Sequence, residues 1–124
     1  MKHPKRFTSE QRIRGQDAFK NLVEKGRFSK GRFFYLWAGE ASLLVRKTSG
    51  KPMLGVVVNK KTQASAVKRN LIKRRVREVF RSLQDSIHPE TAVLIKAKET
   101  STMPGLMEIR EDLATLFKKV GISL

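Results

Sequence analysis

The side chains best suited to chemistry in this sequence are seven lysines and arginines between positions 68 and 81, which only Glu78 offsets. At 100° per residue, this stretch separates into an apolar stripe and a cationic face. The apolar stripe consists of Ile72, Val76, Val79, Phe80 and Leu83. The cationic side, here named the basic face, consists of Lys68, Arg69, Asn70, Lys73, Arg74, Arg77 and Arg81.

The residue types on the basic face suit a polyanion. Guanidinium groups form planar, bidentate contacts with phosphate, and the amide of Asn70 can both donate and accept hydrogen bonds to sugar hydroxyls and base edges. A charged, solvated helix is the plain alternative, and it would be favoured for an arbitrary basic run. Solvated faces usually mix signs to form i,i+4 pairs, so the separation of charge from apolar residues favours RNA binding instead.

No pattern in the chain predicts a catalytic or metal-binding site made of protein side chains. His3 and His88 stand alone, and the acidic residues are scattered. No glycine-rich phosphate loop follows a strand pattern. The sequence contains no cysteine, which excludes disulfides and thiolate metal sites and fits a reducing cytoplasm.

Length and charge narrow the class of protein further. A chain of 124 residues predicts one domain, with a flexible basic arm over residues 1–15 and the domain over residues 16–124. The formal net charge is +16 and the pI is about 10.9, as expected of a nucleic-acid binder. Residues 85–124 carry a net charge of −1, so the excess lies entirely in the first two thirds. No apolar run has the length of a membrane span.

A short helix is predicted near the start of the domain. Phe19, Leu22 and Val23 recur at i, i+3 and i+4, with Asp17 as the expected cap and Gly26 as the expected end. Such a triplet packs into a core by default.

The residues from Arg32 to Trp37 predict an aromatic strand. Alternation places Phe33, Tyr35 and Trp37 on one face of that strand. Aromatic rings beside cations can form a platform on which single-stranded bases stack, whereas the alternative is ordinary core packing. We expect Trp37 to line a cleft, because large amphipathic rings are seldom completely buried.

The remaining elements complete an α-β-β-β-α-β-α order. Strands are predicted over residues 42–46, 54–59 and 91–95, with Lys60 and Lys61 ending the second of these. Ser65 or Thr62 is the expected cap of the basic helix, and a last helix is expected after Thr102 and Pro104. Its apolar stripe consists of Leu106, Ile109, Leu113, Leu116, Phe117 and Val120. This order predicts an α+β sandwich with three helices on a four-stranded sheet.

The stretch AVKRNLIKRRVRE at positions 66–78 resembles the signature helix of the bacterial ribonuclease P protein subunit. That family has an Arg-Asn-Arg core followed by Ile/Val-Lys-Arg and Arg-Glu, preceded by a strand that ends in Lys-Lys. The segment VVVNKK at positions 56–61 stands at the matching place, and the resemblance extends over nearly the whole chain. Leu71 departs from the pattern, because the family usually has the second Arg of the core there.

The resemblance implies a fold and a division of labour. The family's fold is an α+β sandwich, also found in a ribosomal protein domain, with a left-handed crossover between parallel strands around the basic helix. Its catalytic RNA hydrolyses precursor tRNA with Mg2+, while the protein binds that RNA and the 5′ leader. The holoenzyme is a cytoplasmic endoribonuclease, with one protein per RNA and no membrane partner. The implied leader cleft contains Phe19, Val23, Trp37, Lys60 and Lys61.

Two other classes of protein share some of these features. A ribosomal protein or RNA chaperone would have a similar charge and size, but would not need an aromatic strand and a short helix beside a basic groove. A helix-turn-helix DNA-binding protein would place its recognition helix after another helix, whereas strands flank the basic helix here.

Overall fold

The computed structural model describes residues 11–44, 50–99 and 103–123. Along the chain, the helices and strands are α1 Gln16–Lys25, β1 Arg27–Lys30, β2 Phe34–Glu40, β3 Met53–Val57, α2 Ala66–Leu83, β4 Thr91–Ala97 and α3 Leu106–Lys119. The strands form one sheet in the order β1-β2-β4-β3. β2 is antiparallel to β1 and β4, whereas β3 and β4 are parallel neighbours connected through α2. The predicted α+β class is confirmed.

One predicted strand is wrong, and another was missed. Residues 42–46 were expected to be a strand, but Ala41–Leu43 forms a 3-10 helix, and residues 45–49 lie outside the described part. The strand that replaces it is β1, whose residues pair with β2 from Arg27 opposite Ala38 to Lys30 opposite Tyr35. β1 is an edge strand in which only Ser29 is buried, so it carries no apolar alternation that could reveal it.

The helix ends agree with expectation in part. Ser65 caps α2, because its hydroxyl accepts a hydrogen bond from the backbone N–H of Lys68. Gly26 ends α1 as predicted, but Gly15 is its N-cap, and Asp17 lies inside the first turn. α3 begins after Gly105, while Thr102 lies outside the described residues.

The sheet separates two apolar clusters. The larger cluster lies between the sheet and the helices α2 and α3, and includes Phe34, Leu36, Phe80 and Phe117. The smaller cluster lies on the opposite side under α1, where Ala18 and Leu22 pack with residues of β3 and β4. The apolar stripe therefore anchors the basic helix on the sheet, as predicted, and the opposite side of the helix lies at the protein surface.

A buried carboxylate fixes the turn between β1 and β2. The two oxygens of Asp112 in α3 accept hydrogen bonds from the backbone N–H groups of Arg32, Phe33 and Phe34, at 2.8, 3.0 and 3.1 Å. A Cβ added at Gly31 would lie 2.5 Å from one of these oxygens, so the turn needs glycine there. Phe33 consequently belongs to the turn and packs in the larger cluster, not on the face of Tyr35 and Trp37 as expected.

The segment before α1 is attached to the sheet from Gln11 onward. Arg12 forms a parallel bridge with Leu54, and the backbone N–H of Ile13 donates to the carbonyl of Leu54 at 3.0 Å. The side chain of Gln11 is buried and donates to the carbonyl oxygen of Pro52. Residues 1–10 of the predicted arm lie outside the described part of the chain.

Candidate RNA interface

The basic face of α2 forms one wall of a groove of about 430 Å3. Helical periodicity brings its α2 side chains together, because residues three and four positions apart are neighbours on one side of a helix. The groove, here named the arginine groove, is lined by Arg12, Asn70, Arg74, Arg77, Glu78 and Arg81. Four arginines thus face a single carboxylate, which is the charge balance of a site for an anion.

The one carboxylate in the arginine groove is already paired. Arg81 donates two hydrogen bonds to Glu78, and this pairing lowers the pKa of Glu78 and raises that of Arg81. Arg77 is half-buried, and burial together with the positive charge of Arg12 lowers its pKa. An arginine still remains protonated at neutral pH. Among the described residues that line it, the groove therefore has more positive than negative charge.

The structure brings together four of the seven predicted basic-face residues. Asn70, Arg74, Arg77 and Arg81 line the arginine groove, whereas Lys68, Arg69 and Lys73 do not. Arg69 has an evident structural contact, because one guanidinium nitrogen donates to the carbonyl oxygens of Gln63 and Ala64 at 2.9 and 2.8 Å. It therefore fixes the loop that precedes α2, whatever further contact it makes.

Leu71 is half-buried and does not pack against either apolar cluster. We expect Leu71→Arg to tighten RNA binding several-fold and to raise the slope of log affinity against log salt by about one unit, since it adds one cation near the basic face. The melting temperature should stay close to that of the wild type. The measurement is binding at several salt concentrations, with Leu71→Gln as the uncharged control. A marked fall in the melting temperature of both variants would show that Leu71 packs in the core.

The predicted cleft lies where α1 meets the sheet. Phe19 and Trp37 are half-buried and both pack against the smaller apolar cluster. Phe19 lies directly over Gly55 of β3, where an added Cβ would be 3.0 Å from its ring. Val23 is 47% exposed and does not join that cluster. The structure thus brings two of the three predicted wall residues together and leaves Val23 on the open side of α1.

An aromatic patch that was not predicted from the sequence extends this cleft. Phe28 of β1 lies opposite Trp37, with ring centroids 5.1 Å apart, and 6.0 Å from the ring of Tyr35. Phe28 is 53% exposed, which is unusual for so large an apolar side chain. Lys98 places its ammonium group 5.4 Å from the Tyr35 ring centroid, and Lys96 pairs with Tyr35 across the sheet. Alternation had placed Tyr35 beside Trp37, but Phe28 could be found only once β1 was known.

The two predicted cleft lysines lie on the turn that connects the sheet to α2. The side-chain oxygen of Asn59 accepts hydrogen bonds from the backbone N–H and the hydroxyl of Thr62, both at 2.9 Å. This contact closes the turn and leaves Lys60 and Lys61 exposed on it. They therefore lie at the end of β3, and their backbone leads directly into the basic helix.

Neither a cluster of metal-binding side chains nor a membrane-spanning helix occurs among the described residues. Among residues 11–44, 50–99 and 103–123, no group of three His, Asp or Glu side chains could hold a metal ion. The side chains present there do not fit a magnesium site, and we assign no step to a metal on this chain. None of the helices in those ranges has the length and apolar character needed to cross a membrane.

Comparisons with known proteins identify the family and support the fold. The family model described as Ribonuclease P matches residues 7–121. The ribonuclease P protein component of Dictyoglomus turgidum is 29% identical over 119 residues, covering 94% of this chain and 93% of the relative. That of Desulforapulum autotrophicum is 32% identical over 114 residues, covering 92% of each. The solved RNase P protein of Staphylococcus aureus has a similar fold, with a TM-score of 0.75 at 24% identity over 90% of this chain and 96% of that one. Since the family model matches nearly the whole chain, the chain belongs to the ribonuclease P protein family.

Proposed function

We propose that the basic face of α2 binds the RNA subunit of ribonuclease P, and that the cleft between α1 and the sheet binds the 5′ leader of precursor tRNA. Membership of the family makes the chain a component of an endoribonuclease that works with a catalytic RNA. In this proposal the holoenzyme contains one such protein per RNA and acts in the cytoplasm, where precursor tRNA is transcribed.

The arginine groove carries the first half of the proposal. Four arginines and one asparagine line it, and its only carboxylate is paired with Arg81. Phosphate oxygens of a folded RNA would balance the positive charge of these arginines. Bidentate contacts between guanidinium groups and phosphates would orient the helix on the RNA backbone. The amide of Asn70 adds a group suited to a ribose hydroxyl, which phosphate-binding cations alone do not provide.

The cleft supports the second part of the proposal, which is binding of the 5′ leader. Phe19, Trp37 and the neighbouring rings of Phe28 and Tyr35 present faces on which unpaired bases can stack, independently of their sequence. Lys60 and Lys61, exposed at the end of β3, would then meet the leader's phosphates. A single strand bound here would run toward the RNA subunit on α2, since the same turn leads into that helix.

The protein's part in the reaction is binding and orientation. Membership of the ribonuclease P family supports the proposal that hydrolysis, and any Mg2+ it uses, belongs to the RNA subunit. Holding the leader fixes the precursor relative to that RNA, which lowers the entropy that must be lost before cleavage.

Trp37→Ala tests the leader site. Stacking of one base on an aromatic ring contributes about 1–3 kcal/mol, so the reconstituted holoenzyme should bind precursor tRNA roughly tenfold more weakly or worse. Mature tRNA has no leader, and its affinity should change little. The measurement is the affinity for both RNAs, together with the melting temperature of each protein.

Trp37→Phe is the matched control, because it keeps a ring on which a base can stack and should recover most of the lost affinity. Equal losses for precursor and mature tRNA in Trp37→Ala would contradict the proposal. So would a fall in melting temperature large enough to unfold the protein at the assay temperature, since Trp37 would then be a structural residue.

A further inference from the structure

Arg12 lies in the arginine groove although it is far from α2 in the sequence. Arg12 precedes the first helix, so the helical periodicity that predicts the basic face does not include it. The Arg12 side chain is exposed, whereas those of Gln11 and Ile13 on either side of it are buried. Arg12 itself forms a parallel bridge with Leu54 of β3, which holds its main chain beside the sheet and leaves its side chain on the surface.

The backbone around Arg12 is fixed on both sides. Gln11 donates through its amide nitrogen to the Pro52 carbonyl at 2.9 Å and to the side-chain oxygen of Gln84 at 2.8 Å. On the other side, Ile13 donates to the carbonyl of Leu54 at 3.0 Å. Gln84 follows directly after the last residue of α2, so the same contacts tie this segment to the basic helix. Arg12 thus enters the groove with its main chain already ordered, which reduces the entropy lost on binding an anion.

The charges in the groove favour an anionic ligand that can accept several hydrogen bonds. Arg12 and Arg77 lie close enough for the charge of Arg12 to lower the pKa of Arg77. Two guanidinium groups brought together repel each other in the free protein, and the only carboxylate of the groove is held by Arg81. One bound phosphodiester would relieve this repulsion, because its two free oxygens can accept N–H groups from several arginines at once.

We propose that Arg12 is part of the RNA-subunit site, and that Arg12, Arg74 and Arg77 together bind one phosphodiester of the RNA backbone while Asn70 contacts the adjacent ribose 2′-hydroxyl. This inference rests on the proposed function of α2. It adds a residue from outside the signature helix and defines the ligand as a nucleotide unit of RNA, since DNA lacks the hydroxyl that Asn70 would bind.

The test compares Arg12→Gln with Arg14→Gln in the full-length chain. Both changes remove one positive charge from an exposed arginine, but only Arg12 lines the arginine groove. Arg12→Gln should weaken binding of the ribonuclease P RNA roughly tenfold and lower the salt slope by about one unit. Arg14→Gln should change the affinity by about twofold or less, because Arg14 does not line the groove and an exposed charge without a direct contact contributes little. Arg12→Lys keeps the charge without the planar fork and should fall between the wild type and Arg12→Gln.

The melting temperature of the free protein separates a binding role from a structural one. Arg12→Gln should leave it unchanged or raise it, since the change removes repulsion with Arg77. If Arg12→Gln lowers the melting temperature, the Arg12→Lys variant decides, because the aliphatic stem of lysine preserves packing. An Arg12→Lys protein with the wild-type melting temperature and weaker RNA binding supports the inference. An Arg12→Lys protein with wild-type RNA affinity overturns it.

Two outcomes distinguish this inference from the function on which it rests. Equal effects of Arg12→Gln and Arg14→Gln, alongside a clear loss in Arg77→Gln, would overturn the role of Arg12 and leave the α2 site intact. No loss in Arg77→Gln would refute the α2 site itself. Equal affinity for the ribonuclease P RNA and for its DNA counterpart would overturn the contact of Asn70 with the ribose.

Discussion

The double variant Arg74→Glu, Arg77→Glu is expected to bind the ribonuclease P RNA at least roughly a hundredfold more weakly than the wild-type chain. Both side chains line the arginine groove, so the change removes two phosphate contacts and brings two negative charges against the RNA backbone. Folding should be preserved, because Arg74 is exposed, Arg77 is only half-buried, and replacing Arg77 removes its repulsion with Arg12. RNA affinity and melting temperature at several salt concentrations measure both effects.

A matched reversal on α3 controls for total charge. Arg110→Glu with Lys118→Glu changes the net charge by the same amount at two exposed positions outside the arginine groove. It should reduce affinity far less and leave the slope of log affinity against log salt nearly unchanged, whereas the α2 reversal should lower that slope by about two units. Equal losses in the two double variants would mean that the RNA responds only to net charge and that α2 is not a specific site.

Asp112→Ala is expected to lower the free energy of unfolding by about 3 kcal/mol or more. The substitution removes the acceptor for the N–H groups of Arg32, Phe33 and Phe34, of which the last two are buried. Each buried N–H group left without an acceptor destabilises the folded state by its full desolvation free energy. Removing the side chain also leaves a cavity beside Gly31, which destabilises the fold further. Asp112→Asn should also destabilise, because its NH2 group would face one of the donors that now meets an oxygen.

Chemical denaturation at neutral pH measures this loss, with Glu111→Ala as the control. Glu111 is the preceding residue of α3 and is exposed, so its removal makes the same change in net charge without opening the turn. We expect Glu111→Ala to change the free energy of unfolding by about 0.5 kcal/mol or less. Similar effects of the two alanine variants would show that the hydrogen bonds of Asp112 add nothing beyond its charge.

The helices α2 and α3 could be predicted from the sequence because each buries most of a periodic apolar stripe. Ile72, Val76, Val79 and Phe80 of α2 are all buried, as their spacing predicts. The stripe of α3 is buried from Ile109 to Val120, although Leu106 at its start is 45% exposed. β1 could not be found in this way, because an edge strand is stabilised by backbone pairing with its neighbour and requires no apolar pattern of its own.

The candidate site was predictable where it lies on one element and not where it is assembled from several. The basic face belongs to a single helix, so its residues follow from periodicity alone. Arg12 and Phe28 reach their places through contacts with Leu54 and Trp37, which are distant in the sequence. No local pattern encodes such contacts, and the roles of all these residues remain predictions until the variants are measured.

The bonds between Asp112 and the β1–β2 turn also set an order of events during synthesis. The turn at residues 31–34 leaves the ribosome before α3, and its three N–H groups cannot bond to Asp112 until that residue has emerged. A nascent chain can begin to pair β1 with β2, yet it cannot complete the hairpin that carries Phe28, Tyr35 and Trp37. Because contacts of such long sequence separation form late, the surface proposed to hold the leader becomes complete only after α3 has been synthesised.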